Sequence, residues 1–207
     1  MKITSTSILS SRAVSVLSGA VLAVLWLSFA MRHVHAYLNT GHIVFLVFCI
    51  SETMQSSFML IRTKPQTVST ELYDWVLAVL GTFISLGFSP GGVVLWSGGM
   101  TLLVIGFSLQ IIGLISLNRS FALVAAKREI KTAFGYRVVR HPMYASYSVG
   151  NIGYFLFNAS LWNALCLAFI LVLFILRIIQ EEKHLSQDPI YREYKARVRY
   201  RLIPYVY

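Results

Sequence analysis

Long apolar runs set between basic clusters constrain this chain more than any other feature. A helix rises about 1.5 Å per residue, so crossing a hydrocarbon layer about 30 Å thick takes about 20 mostly apolar residues. Residues 13–31, 42–61 and 93–117 meet that length. Residues 75–88 form a shorter run that ends at the turn signal Ser89-Pro90-Gly91-Gly92. Two further runs, 144–157 and 161–176, are joined by Asn158-Ala159-Ser160, a spacing that predicts a tight helical hairpin. The expected fold is therefore all-α: a polytopic integral membrane bundle of about five to six hydrophobic segments. Residues 1–207 read as a single domain, with four transmembrane spans in 1–117 and a polar-rich hairpin region in 118–207. Composition agrees, because only 13% of the residues are charged, against about a quarter in soluble domains. Run 13–31 also exceeds the ~7–15-residue apolar core of a cleaved signal and reads as a retained helix.

Charge placement sets an expected orientation. Of the 18 lysines and arginines, all but Arg32 fall on one side of the runs. Cytoplasmic loops of membrane proteins carry such an excess, so both termini and the loop 118–142 are expected in the cytoplasm, with Arg32 opposite. The short chain favours a bacterial inner membrane. The net charge of +10 lies beside apolar spans, which points to anionic membrane lipids and not to nucleic acid. Asp188-Pro189 has the form of a helix N-cap followed by proline at the first helical position. It predicts a short basic helix over 190–201, with Tyr191, Tyr194, Val198 and Leu202 at helical spacing against the membrane surface.

The densest polar chemistry flanks the hairpin. Gly135-Tyr136-Arg137-Val138-Val139-Arg140-His141-Pro142-Met143-Tyr144 leads into it, and Arg177-Ile178-Ile179-Gln180-Glu181-Glu182-Lys183-His184 leads out. A hairpin brings its two ends together, so both clusters should meet at one cytoplasmic surface. Arg177, Glu181 and His184 share a helix face, while Glu182 lies about 100° from Glu181. Taken singly, Arg140 and Arg177 could anchor helix ends, and Glu181 could pair with Arg177. Ionisable groups at membrane depth cost ~2.5–3.5 kcal/mol each on insertion scales, so a cluster of both signs points to a ligand site.

Arg140-His141-Pro142-Met143-Tyr144, an apolar hairpin and then Glu181-Glu182 resemble the signature of the isoprenylcysteine carboxyl methyltransferase family, which is related to phospholipid N-methyltransferases. The resemblance extends over about 118–204 and includes Tyr136, Tyr191-x-x-Tyr194 and Arg201-Leu202-Ile203-Pro204. It implies a cytoplasmic pocket for S-adenosyl-L-methionine (SAM) and a lipid-like or prenylated acceptor. By position it implies cofactor contacts from Arg128, Glu129, Ile130, Lys131, Tyr136, His141, Pro142, Met143, Tyr144, Glu181 and Glu182. It also implies Arg177 as the substrate-binding residue, with Arg177, Arg140 and Glu181 as catalytic candidates. Ala125 stands where the family often has a glutamine that contacts the cofactor.

SAM carries a carboxylate, an ammonium, a ribose and an adenine; arginine and histidine suit the first, glutamate the second and third, aromatic rings the last. A carboxylate acceptor needs no general base, and Arg177 could hold it by charge-assisted hydrogen bonds. An amine acceptor would need a base or a solvent path, and His184 is the nearby candidate. Carboxyl O-methylation is the preferred expectation, phospholipid N-methylation the alternative. A sterol-reductase type enzyme, a small transporter or a structural membrane subunit are the other classes weighed.

Elsewhere the sequence promises less. Glu52 and Gln55 either line a substrate cavity or satisfy each other across a helix interface, packing being preferred. His33, His35 and His42 lack a tight ligand set, so no metal site is expected. Cys49 and Cys166 read as small hydrophobes. Gly98, Gly99, Gly106 and Gly113 read as close helix-packing positions, and the sequon at Asn158 as unused.

Overall fold

The structure is a computed structural model that describes residues 12–58, 67–68, 71–117, 126–127 and 134–207. Its helices are α1 (Arg12–Thr40), α2 (Val44–Phe58), α3 (Leu72–Phe83), α4 (Gly99–Leu117), α5 (Pro142–Phe157), α6 (Leu161–Leu185) and α7 (Pro189–Arg197). Short 3-10 turns occupy Ile84–Gly87 and Phe134–Arg137. The fold is all-α apart from a two-residue antiparallel pairing of β1 (Thr67–Val68) with β2 (Ala126–Lys127). Among the described residues, Ala20–Thr40 and Leu161–Leu185 are long and apolar enough to cross a membrane. Val44–Met54, Leu72–Gly87 and Gly99–Ile115 are shorter apolar helices.

The first helix runs nine residues past the expected end at Met31. The polar residues that suggested a loop are satisfied within the bundle. Arg32 donates from Nε to the Ser28 carbonyl at 3.3 Å and from Nη2 to the Leu86 carbonyl at 3.2 Å. His33 is fully buried, with Nδ1 2.8 Å from the Phe29 carbonyl and Nε2 2.7 Å from the Tyr154 hydroxyl. A carbonyl can only accept, so Nδ1 carries the proton and Nε2 accepts from Tyr154. The helix stops at Gly41, whose φ of 69° suits glycine. Around His33, the rings of Phe29, Phe48, Phe88 and Tyr154 form the main apolar core.

The fourth run also differs from expectation, because helix begins only at Gly99. Val93 instead pairs with Ala159 through two 2.8 Å backbone bonds, and the amides of Leu95 and Trp96 donate to the Leu156 carbonyl at 3.0 Å. This segment satisfies backbone groups at the hairpin tip. Asn158 completes the tip: it is buried, accepts from the Gly92 amide and donates to the Ser89 carbonyl. Its side chain is thereby withdrawn from any modification of the sequon.

The glycines of α4 act as expected. A methyl group on Gly106 would sit 2.4 Å from the Gly150 nitrogen, and one on Gly99 2.6 Å from the Gly153 carbonyl. Backbone touches backbone there, which fixes α5 firmly on α4. That packing orients the N-terminus of α5, where the polar cluster begins. The hairpin forms as read, with Ser160 capping α6 by accepting from the Asn163 amide at 3.1 Å. Asp188 caps α7 by accepting from the Ile190 amide at 3.0 Å. The last helix ends at Arg197, four residues earlier than expected. Tyr191, Tyr194 and Val198 are buried against the protein with Leu185 packed on them.

Candidate active site

Both flanks of the hairpin converge at one end of the bundle, joined there by the C-terminal segment. The amides of Arg140 and His141 donate to the carbonyls of Tyr200 and Arg201 at 2.8 and 2.9 Å. The Tyr194 hydroxyl donates to the Tyr136 carbonyl at 2.8 Å. Helix α7 and the tail thus brace the segment that carries the signature residues.

The two adjacent glutamates have separate surroundings, as their 100° offset on α6 requires. Glu182 is buried at 3% exposure and gathers positive groups on both oxygens. Arg140 Nε lies 2.6 Å from Oε1 and His141 Nε2 3.2 Å from it; Arg201 Nε and Lys195 Nζ lie 3.1 and 3.4 Å from Oε2. Arg140 also donates from Nη1 to the carbonyls of Val198 and Arg199 at 2.8 and 2.6 Å. Its guanidinium is therefore buried and engaged on several sides. Burial alone would lower the Arg201 pKa, but the Glu182 carboxylate and Tyr207 outweigh it and hold it above the ordinary value.

Glu181 is half-buried on the neighbouring face. Its Oε2 accepts from the Tyr144 hydroxyl at 3.2 Å, and Oε1 has no partner among the described residues. Burial, then the nearby Glu181 charge, push the Tyr136 phenol well above its ordinary pKa, so it remains a neutral hydrogen-bond donor. The His141 ring, 5.8 Å from that of Tyr144, links this face to the Glu182 cluster. Tyr136, His141, Tyr144 and Glu181 thus lie together, whereas Arg140 and Glu182 are turned toward each other. Pro142 starts α5, and Met143 points into the packing, where Gly113 makes room for its sulfur. Arg128, Glu129, Ile130 and Lys131, and the Ala125 position, lie outside the described residues.

Arg177 sits one turn before Glu181 and is half-buried. Its guanidinium carbon is 5.4 Å from the centre of the Tyr144 ring, and Nη1 donates to Thr82 Oγ1 at 3.1 Å. A methyl group on Gly81 would come within 2.7 Å of Arg177 Cδ, so that glycine leaves the passage the side chain occupies. Toward the bundle interior, the Tyr147 hydroxyl and Asn151 Oδ1 are buried without a hydrogen-bond partner among the described residues. Glu52 accepts from Ser85 Oγ at 2.5 Å, while the side chain of Gln55 lies outside the described residues. No group of histidines, cysteines or acids suited to a metal ion occurs among the described residues. Cys49 and Cys166 are free and buried.

Sequence reasoning did not single out Lys195, Gly81 or Thr82 as parts of this region, and it gave Tyr194 and Arg201 only as fitting the family pattern, with no contact assigned to them. Arg201 carried a signal, since it belongs to the terminal motif that fits the family pattern. Gly81 and Thr82 carried none, because their contact with Arg177 spans almost half the chain.

Among the described residues, two helices long and apolar enough to cross a membrane accompany a charged, tyrosine-rich cluster at one end of the bundle. Residues 91–193, about half of the chain and including most of this site, match the family described as phospholipid methyltransferase. The chain belongs to that family, a family of membrane methyltransferases that includes enzymes like the isoprenylcysteine carboxyl methyltransferases. A comparison with curated proteins finds no match.

Proposed function

We propose that this protein transfers a methyl group from SAM to the carboxylate of a lipid-like or prenylated acceptor at the cytoplasmic face of the membrane. The observation that carries this reading is the division of labour along α6. Glu182 is consumed by a buried ion cluster, Glu181 keeps a carboxylate oxygen available, and Arg177 lies one turn deeper toward the apolar interior. A half-buried carboxylate beside two tyrosines suits the ammonium or ribose hydroxyls of SAM, with the rings available to its adenine or sulfonium. Tyr136, His141, Tyr144 and Glu181 would form that surface, and Arg128 to Lys131 would extend it. Arg140 and Glu182 act as positioning residues, holding His141 and the tail in place. When bound, SAM supplies an electrophilic methyl group on a sulfonium.

Arg177 orients the acceptor. Its stem threads past Gly81 into the layer where a lipid-borne carboxylate would arrive, while Thr82 and the Tyr144 ring limit its rotation. Two reactants held in line need little further assistance. The family's description favours the second reading, N-methylation of a phospholipid headgroup, in which a proton must leave the amine and His184 is the nearby base.

Parallel SAM titration and turnover of Arg177→Lys and Glu181→Gln test the assignment. A lysine cannot reproduce the planar fork of arginine at a carboxylate. Arg177→Lys should bind SAM almost as the wild type does while turnover falls by about tenfold or more. Glu181→Gln should weaken SAM by ~1.5 kcal/mol, roughly tenfold. Equal loss of SAM affinity in both variants would remove the acceptor role from Arg177.

A further inference from the structure

The end of the bundle opposite Glu182 holds a second polar concavity. Helix α5 separates the two ends by 16 residues, or about 24 Å. The cavity measures about 540 Å³; Arg32, His35, Asn39 and His42 line it with the apolar rings of Phe45 and Phe157. No aspartate or glutamate is among its described lining residues. Arg32 is held by two carbonyls, through Nε and Nη2, which leaves Nη1 without a partner among the described residues. Arg32, His35, Asn39 and His42 are solvent-exposed at this rim, and a cation held in place with no carboxylate in the lining attracts an anion as its counterpart.

The histidines add directed donors. His35 Nε2 lies 2.9 Å from the Asn39 amide nitrogen, which can only donate, so in the neutral ring Nδ1 carries the proton. His42 stands edge-on to Phe157 with ring centres 5.3 Å apart. A guanidinium and two imidazoles on separate lining residues suit the several oxygens of a phosphate better than the two coplanar oxygens of a carboxylate. The surroundings fit an amphiphile. Trp96 and Trp162 are both more than half exposed at this end, and Trp162 Nε1 donates to the Gly87 carbonyl at 2.7 Å. Tryptophans so placed mark the headgroup level of a bilayer. Leu38, Val94 and Leu95 offer exposed apolar surface beside the cavity.

We infer that this cavity is an anion site for a phosphate group, met at the membrane surface opposite the methyl-transfer site. The inference is independent of the reaction assigned to the other end. Full-length protein in detergent is titrated with dioleoylphosphatidylglycerol, and retained lipid is counted by native mass spectrometry. Dioleoylglycerol, with the same chains but no phosphate, is titrated in parallel, and inorganic phosphate is added as competitor in a second arm. Wild type should retain one phosphatidylglycerol in preference to dioleoylglycerol, and Arg32→Gln should weaken that retention at least tenfold. The double variant His35→Ala/His42→Ala should weaken it several-fold and carries the test if Arg32→Gln does not fold. Displacement by inorganic phosphate would identify free phosphate as able to fill the site; resistance would identify the lipid headgroup as its occupant. Both results support an anion site. Equal retention of dioleoylglycerol, or unchanged retention in the folded variants, would overturn it.

Discussion

Replacing Glu182 with glutamine removes the negative charge around which Arg140, His141, Lys195 and Arg201 are arranged, while keeping the side-chain shape. Glu182 is 3% exposed and Arg140 7%, so the substitution leaves a buried guanidinium without its counter-charge. Breaking a buried pair from one side typically costs about 3–5 kcal/mol. The amide oxygen of glutamine can still accept from Arg140 Nε and recover about 1 kcal/mol. Lys195 is 41% exposed and contributes little through solvent. The net loss is about 2–4 kcal/mol, which in a chain of this size lowers the melting temperature by roughly 5–15 °C. Glu181→Gln keeps an acceptor for its one 3.2 Å bond from Tyr144 at a half-buried position and should melt within a few degrees of wild type. Thermal melts of both variants in one detergent, paired with SAM titration, measure the contrast. Glu182→Gln should be the unstable variant and Glu181→Gln the one that loses SAM. If Glu182→Gln melts like the wild type yet loses SAM as Glu181→Gln does, the division between a structural and a ligand-facing glutamate is wrong.

Two further outcomes follow from packing and from charge. Gly106→Ala places a methyl group 2.4 Å from the Gly150 backbone nitrogen, which cannot move without separating α4 from α5. It should cost about 1–3 kcal/mol in melting experiments. Gly113→Ala meets the flexible thioether of Met143 at a similar distance and should cost less; the reverse order would show that the α4–α5 contact is not the tight one. Reporter fusions after residue 207 and in the Ser89–Gly92 turn should report opposite sides of the membrane, as the distribution of basic residues requires. The same side for both would contradict the expected topology.

The hairpin and the last helix were legible because each signal was local: a short polar break between two apolar runs, and aspartate followed by proline. Periodicity likewise separated Glu181 from Glu182, since adjacent helical residues cannot share a face. The residues that complete the ion cluster were less legible. Lys195 lay in a basic helix expected at the membrane surface and Arg201 in the terminal motif, and only the folded tail brings them to Glu182. Arg32 and His33 read as the end of the first span because hydropathy counts their polarity. It does not count the carbonyls and the Tyr154 hydroxyl that satisfy them within the helix. The reverse error shortened α4: residues 93–98 are apolar enough for a span, but their backbone groups are used to close the hairpin tip. The passage of Arg177 past Gly81 to Thr82 depends on helices distant in sequence and had no local signature.

The chemistry of the transferred methyl group tests the proposed reaction most directly. Purified full-length protein is incubated with SAM labelled in its methyl group and with a membrane lipid extract, and the labelled lipid product is treated with base. A methyl ester hydrolyses to volatile methanol, whereas an N-methyl group survives base as non-volatile label on the headgroup. Carboxyl O-methylation predicts label that becomes volatile in base and falls by about tenfold or more in Arg177→Lys. Label that stays non-volatile after base treatment would contradict the carboxylate acceptor and support the headgroup amine in its place.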